Sequence, residues 1–251
     1  MEMSNVVLYE GDCLDVMPTL AVASVDAIIT DLPYGATACK WDIIIPFEPM
    51  WREIKRILKP HGAFITTARQ PFTSMLVMSN LKWFKHEWIW KKNAGSNFAL
   101  VKFEPMLEHE SVLVFGCCTV VYNPQRQKRA ESGKRMIACG IRSKASNGND
   151  VYGGLNQGYD NSHNDIDFRV PSSVQYFNRE RGLHPTQKPV GLYEYLINTY
   201  TNEGDLVLDI AMGSGTTGVA CIKTKRNFVG IDNVKETVDI AQYRIEHFDV
   251  G

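Results

Sequence analysis

The sequence predicts an α/β fold, a mainly parallel sheet with helices on both faces. Three observations predict it. Short apolar runs of strand length alternate with stretches of helical periodicity. One such run, at 206–210, passes straight into a glycine-rich turn and then a further helical stretch. Another, at 25–30, delivers a carboxylate at its end, where open α/β sheets place their ligands.

The elements follow in order. Residues 6–9 and 25–30 are short apolar strands. Residues 49–58 set Met50, Trp51, Ile54, Ile57 and Leu58 on one side of a helix, which Lys59-Pro60-His61-Gly62 stops. A buried strand at 63–67, a helix at 72–79, an aromatic-rich strand at 83–91 and a strand at 110–115 complete the first part. From 119 to 183 the pattern changes to a basic stretch followed by a segment rich in Gly and Asn. A loop of that length inside a compact domain is usually functional or disordered, and it reads as an inserted recognition segment. Order returns at Pro189, with helices at 190–200, 216–224 and 234–248 and strands at 206–210 and 228–231. The expected division is 1–118 and 184–251 as halves of one domain, with 119–183 inserted between them.

Composition narrows the function classes. With 251 residues, 44% of them hydrophobic and 22% charged, the chain is long and apolar enough to bury a core, so disorder and fibrous repeats are excluded. It has no apolar run of membrane-spanning length, and its first residues lack a signal peptide, so a cytoplasmic protein with no membrane partner is expected. Cys13, Cys39, Cys117, Cys118, Cys139 and Cys221 form no C-x-x-C pair, so reduced thiols are expected and no metal. The net charge of −1 gives no overall basic field. A nucleic-acid partner must rest on local clusters, and one exists: Arg126, Lys128, Arg129, Lys134, Arg135, Arg142 and Lys144 against Glu131 alone.

The run Leu206 to Asp209 leads through Ile210-Ala211-Met212 into Gly213-Ser214-Gly215-Thr216-Thr217-Gly218. Glycines allow a tight turn and close approach of a ligand, and the following helix offers unpaired N–H groups. Some twenty residues on, Asp232 closes the next strand, where an acid accepts hydrogen bonds from ribose hydroxyls. An adenosine-containing cofactor is implied. Gly213, Gly215 and Gly218 also satisfy the dinucleotide fingerprint G-x-G-x-x-G, but only about 33 residues follow, too few for the rest of a dinucleotide-binding sheet in its usual order. A purely structural glycine turn is the other alternative. The absence of G-x-x-x-x-G-K-[ST] removes the common phosphate-loop enzymes.

At the other end, Asp31-Leu32-Pro33-Tyr34-Gly35 combines a carboxylate, a proline-stiffened turn and an aromatic ring. This segment resembles the catalytic motif of the S-adenosylmethionine-dependent DNA amino-methyltransferases, which modify adenine N6 or cytosine N4, with Leu32 in place of the usual first proline. Asp209 to Gly215 is similar to their cofactor loop, although Ile210 and Ala211 replace the frequent Pro-Phe, and His184-Pro185-Thr186-Gln187-Lys188-Pro189 resembles the motif that precedes it. Further resemblance runs through Glu87 to Trp90, His109 to Phe115, Tyr122 to Gln125 and Arg169 to Phe177. The order, with the catalytic turn first, the variable segment next and the cofactor loop last, resembles the permuted beta class.

The resemblance implies a Rossmann-like methyltransferase fold with circularly permuted motif order and an inserted recognition segment. It implies transfer of a methyl group from S-adenosylmethionine to adenine N6 of a base flipped from double-stranded DNA, with cytosine N4 as the alternative. A catalytically inactive DNA-binding homologue is a further alternative, and similar motifs occur in RNA and protein-glutamine methylases. The Asp31 carboxylate and the Leu32 carbonyl would accept the amino hydrogens, Pro33 would stiffen the turn, and Tyr34 would stack on the base. Asp209, Gly213 and Gly215 would line the methionine side of the cofactor, with Ser214 and Thr216 also binding the cofactor, Asp232 the ribose and Asp12 the adenine edge, and with Lys188 near the cofactor carboxylate. An ordinary helix cap is the plain alternative for Asp12. Arg126, Lys128, Arg129, Lys134 and Arg135 would contact phosphates, against a merely solvated charged loop, and Asn156 and Gln157 are candidates for reading adenine edges. None of the six cysteines follows a proline, which argues against cytosine C5 chemistry and its thiolate nucleophile. A homodimer and a separately acting cognate restriction endonuclease are compatible partners.

Overall fold

The structure is a computed structural model that describes residues 5–37, 39, 42–132, 134, 167–180 and 187–248. The chain divides into two compact units, residues 1–123 with 173–251, and residues 124–172. In the large unit the first strands are β1 (Val6–Glu10), β2 (Val25–Thr30), β3 (Leu58–Ala68), β4 (Phe84–Lys91) and β5 (His109–Phe115). The small unit contributes β6 (Gln127–Lys128) and β7 (Phe168–Arg169), which form a short antiparallel ladder. The large unit resumes with β8 (Val174–Tyr176), β9 (Leu206–Asp209) and β10 (Asn227–Asp232).

Its eight strands lie in the order β1-β10-β9-β2-β3-β5-β4-β8. Only β5 runs against its neighbours, so the sheet is mainly parallel, as the alternation of elements predicts. Parallel strands are covered on both faces, which is why β2 reads as a nearly unbroken apolar run. On one face Met50, Trp51, Ile54 and Ile57 of α2 (Phe47–Ile57) and Phe72 and Leu76 of α3 (Phe72–Ser79) pack against Ile28, Phe64 and Leu208, beside the short α1 (Cys13–Val16). On the other, α4 (Val190–Tyr200), α5 (Thr216–Lys223) and α6 (Lys235–Glu246) bring Leu196, Val219 and Ile245 against Ala27, Ile29 and Ile65.

Two boundaries differ from expectation. The Lys59 to Gly62 stop is the start of β3 and not a loop: Leu58 pairs with Val25 and Ala63 with Ala27, so the residues between them bulge. Gly62 fits there because a Cβ would lie 2.7 Å from the Asp26 carbonyl oxygen. The large unit also resumes at Ser173 rather than 184, because β8 adds to the β4 edge; its polar three residues carry no apolar signature.

Parallel pairing places the carboxyl ends of β1, β10, β9, β2 and β3 along one edge. At the adjacent β9 and β2 the chain leaves to opposite faces, into α5 and α2, which opens a crevice at this point. Among the described residues no helix is long and apolar enough to cross a membrane, and Cys13, Cys39, Cys117, Cys118 and Cys221 are free thiols.

Candidate active site

Asp31 stands just past the end of β2, on one side of this crevice. Tyr34 donates its hydroxyl to Asp31 Oδ1 at 2.7 Å, and Thr67, at the end of β3, donates to the same oxygen. The Tyr34 ring packs on Phe72, with centroids 5.3 Å apart. Burial and the neighbouring Asp31 charge push the Tyr34 phenol well above its ordinary value, so it remains a donor. Leu32, where the family usually has proline, is buried in the core beneath α2 and α3. The turn is thereby anchored by packing where a second proline would have stiffened the backbone. Beyond it, the Asp42 carboxylate accepts the N–H groups of Gly35, Ala36 and Thr37 at 2.8, 2.9 and 2.7 Å, which pins the chain as it leaves.

Lys188 Nζ lies 2.6 Å from Asp31 Oδ2 and 3.5 Å from Glu110 Oε2. Burial alone would lower the Lys188 ammonium, but the Asp31 and Glu110 carboxylates outweigh it and hold it above its ordinary value. Glu110 in turn pairs with Lys92. Burial alone would raise the Glu110 carboxyl, yet the Lys188 and Lys92 charges keep it below the usual range. Tyr193 of α4 is buried close enough to Asp31 and Asp209 that both carboxylates, after burial itself, raise its phenol.

On the other side of the crevice is the glycine turn. Gly213 (φ +52°) and Gly215 (φ +78°) both adopt left-handed backbone. A Cβ on Gly213 would meet nothing within 4 Å, so this stretch of main chain is open to a ligand. Gly215 instead lies against α6, where a Cβ would come 2.9 Å from that of Ala241. Asp232 Oδ2 accepts the Gly213 N–H and Oδ1 the Val234 N–H, both at 3.0 Å, tying the turn to the end of β10. Ser214 and Thr216 turn their hydroxyls to Arg244 of α6 at 2.8 and 3.5 Å, so they fix the shape of the loop from behind. Asp12 caps α1, its Oδ1 accepting from Leu14 N at 2.8 Å, and sits two residues beyond the paired ends of β1 and β10.

Asp209 is buried and accepts from Thr217 Oγ1 and from Ala211 N at 3.1 Å. Burial pushes its carboxyl up to about 7, against the opposing effect of these donors. A folded value above the unfolded one means that the native protein holds the proton longer, so this contribution to stability is full at low pH and is lost as pH rises through about 7. Compared with Asp209→Asn, the ligand-free wild type should lose on the order of 4 kcal/mol of relative stability from about pH 4 to pH 8, read from urea transitions. A difference that stays flat across this range would contradict it.

The structure therefore brings Asp31, Leu32, Pro33 and Tyr34 to one edge with Asp12, Asp209, Gly213 to Thr216 and Asp232. The Lys188 ammonium sits on Asp31, while its carbonyl oxygen lies 3.5 Å from Thr216 Oγ1. Thr67, Glu110, Lys92, Tyr193 and Arg244 are participants that sequence reasoning missed. In the small unit Arg126 and Lys128 are exposed, Arg129 N donates to Asp167 O, and Lys134 is paired with Glu131 at 3.1 Å and Asp167 at 2.9 Å. Arg135, Asn156, Gln157 and His184 to Thr186 lie outside the described residues.

The chain that carries this site has counterparts among known proteins. The DNA methylase family pattern for N6 and N4 enzymes matches residues 25–243. The chain belongs to this DNA methylase family. This DNA methylase is 29% identical over 251 residues to the type II methyltransferase M.HpaI of Haemophilus parainfluenzae, covering 94% of this chain and 73% of that one. It is 27% identical over 259 residues to the DNA adenine methyltransferase YhdJ of Escherichia coli strain K12, covering 95% and 82%. Among solved structures, the PvuII cytosine-N4-specific DNA methyltransferase shares the fold with a TM-score of 0.67 at 17% identity, over 98% of this chain and 88% of that one. The M1.HpyAVI complex with S-adenosylmethionine does so with a TM-score of 0.62 at 24% identity, over 95% and 99%. The family's methyl donor is S-adenosylmethionine, and the open main chain at Gly213, beside the carboxylates of Asp209 and Asp232, fits an adenosine-bearing cation.

Proposed function

We propose that this DNA methylase uses S-adenosylmethionine to methylate adenine N6 in double-stranded DNA, on a base turned out of the helix. The observation that carries the reading is the Asp31 carboxylate, held at the mouth of the β9/β2 crevice by Tyr34, Thr67 and Lys188. An exocyclic amine is a poor nucleophile because its lone pair is delocalised into the ring. An ionised carboxylate is acceptor-only, so Asp31 with the Leu32 carbonyl orients an NH2 group and stabilises the positive charge that grows on nitrogen. When bound, S-adenosylmethionine supplies a methyl group made electrophilic by its sulfonium. Asp209 and Gly213 hold its methionine side, with Ser214, Gly215 and Thr216 shaping the loop behind, Asp232 takes the ribose hydroxyls and Asp12 the adenine edge. Pro33 sets the turn, and the Tyr34 ring offers a stacking face.

Adenine is preferred over cytosine N4 because the motif begins with Asp31 and because a relative of nearly full coverage, YhdJ, is a DNA adenine methyltransferase. Leu32 keeps the backbone carbonyl and fills the core, which favours an active enzyme over an inactive DNA-binding homologue. The test is transfer of labelled methyl from S-adenosylmethionine to duplex DNA, RNA and protein in parallel. Label in duplex DNA alone is expected, and label only in RNA or protein overturns the reading.

The inserted segment, with Arg126, Lys128, Arg129, Lys134 and Arg135, is the proposed DNA-contacting part, alongside a homodimer and a separately acting endonuclease as proposed partners, in the cytoplasm. Replacing Arg126 and Lys128 together by alanine should weaken DNA binding similarly on all sequences and lower the slope of log K against log salt by about one per lost phosphate contact. An unchanged slope would remove these two residues from the DNA contact.

A further inference from the structure

A buried chain of charges runs from the acidic turn into the β4/β5 edge. Lys92, just beyond β4, pairs with Glu110 Oε1 at the start of β5. Glu110 Oε2 lies 3.5 Å from Lys188 Nζ, and Lys188 Nζ lies 2.6 Å from Asp31 Oδ2. The Lys92, Glu110 and Lys188 side chains are only 5%, 11% and 11% exposed. One atom in this chain is out of place. Glu110 Oε2 is buried and accepts no hydrogen bond of ordinary length, the Lys188 ammonium standing 3.5 Å away. A buried carboxylate oxygen that lacks a close donor costs free energy, which an ammonium moving nearer would relieve.

Asp31 shows the complementary excess. Tyr34, Thr67 and Lys188 already donate to it. An ammonium at 2.6 Å would also oppose positive charge growing on an amine bound to the same carboxylate.

We propose that Lys188 is a two-position ammonium, paired with Asp31 in the free site and shifted to Glu110 Oε2 when the amine of the target base takes its place on Asp31. Glu110 is then a positioning residue, anchored by Lys92. The inference rests on reading Asp31 as the acceptor for the target amine. No bond is made or broken in the exchange and no proton changes owner, because the ammonium leaves one carboxylate for another. In the free site the Asp31 and Glu110 carboxylates outweigh burial and hold the Lys188 pKa above its ordinary value, and after the shift its ammonium still stands on a carboxylate.

The test compares wild type with Glu110→Gln, which keeps size and a neutral acceptor, and Glu110→Asp, which keeps the charge but sets it back by one methylene. Labelled methyl transfer to duplex DNA is followed in a single turnover at saturating S-adenosylmethionine, with separate measurement of cofactor affinity. Glu110→Gln should slow transfer at least about tenfold, with cofactor affinity within about twofold, and Glu110→Asp should restore part of the rate. Wild-type rates in both variants overturn the proposal. So does equal slowing in both, or a loss of cofactor affinity that matches the loss of rate. Should Glu110→Gln fail to fold, Glu110→Asp decides alone, with slowing at unchanged cofactor affinity expected and a wild-type rate overturning. A wild type that labels no DNA overturns the proposed function as well, and is thereby distinguished from failure of the Glu110 role.

Discussion

Asp31→Ala is expected to slow methyl transfer by about 10²–10³-fold, the usual cost of removing a preorganised group that stabilises charge in a transition state. Cofactor affinity should stay within about threefold, because Asp31 belongs to the β2 side of the crevice and the glycine loop to the β9 side. The fold should tolerate the change. Lys188 keeps Glu110 at 3.5 Å, so its buried charge retains a partner, and Leu32 continues to anchor the turn in the core. Tyr34 and Thr67 lose their acceptor, so some stability is lost, and a thermal melt must accompany the rate. A loss of cofactor binding in step with activity would mean that Asp31 is not the acceptor for the target amine.

Two glycines two residues apart should fail in opposite ways. Gly215→Ala forces a Cβ to 2.9 Å from that of Ala241 and 3.0 Å from its Cα, at a φ of +78°. Left-handed backbone costs an alanine about 1–2 kcal/mol, and overpacking against α6 adds roughly 1–3 kcal/mol. Melting should fall by on the order of 10 °C. Gly213→Ala carries the backbone penalty without the clash, since its surroundings are open. It should cost little more than about 1 kcal/mol of stability yet weaken S-adenosylmethionine at least about tenfold, by placing a methyl group where the ligand approaches the main chain. Calorimetric titration and melting of both variants check this. Equal effects of both variants on both readouts would contradict the division of labour.

The two turns were legible because each condenses its chemistry into a few neighbouring residues. Asp31 to Tyr34 follows an apolar run, and Gly213 to Thr216 follows another, so strand, turn and ligand-facing group are all local. Their meeting was not legible from spacing, since only the sheet order puts β9 beside β2. For the same reason Lys188 was expected near the cofactor carboxylate, whereas its ammonium lies on a carboxylate 157 residues away in sequence. Glu110 and Lys92 look like ordinary strand-end charges. The signal that marks them is a charged residue abutting a buried run at each of two paired strands, which needs the pairing to be known. Asp12 shows the converse, because the helix-cap role named as its alternative is the one its Oδ1 performs. Ser214 and Thr216 have hydroxyls suited to a ligand, yet Arg244, in a helix that periodicity alone could place but not orient, takes them. The strand at 174–176 escaped notice because backbone pairing with β4 holds it, with Gln175 its one buried residue.

The identity of the modified base decides between the chemistries open to this site. The protein is incubated with unmethylated duplex DNA and S-adenosylmethionine, the DNA is digested to nucleosides, and these are resolved by mass spectrometry. N6-methyladenine is expected, and it should form about 10²–10³-fold more slowly when Asp31→Ala replaces wild type. N4-methylcytosine would preserve the amine-accepting site and overturn the choice of base, whereas no methylated nucleoside from a protein that demonstrably binds the cofactor would contradict methylation of DNA at Asp31 altogether.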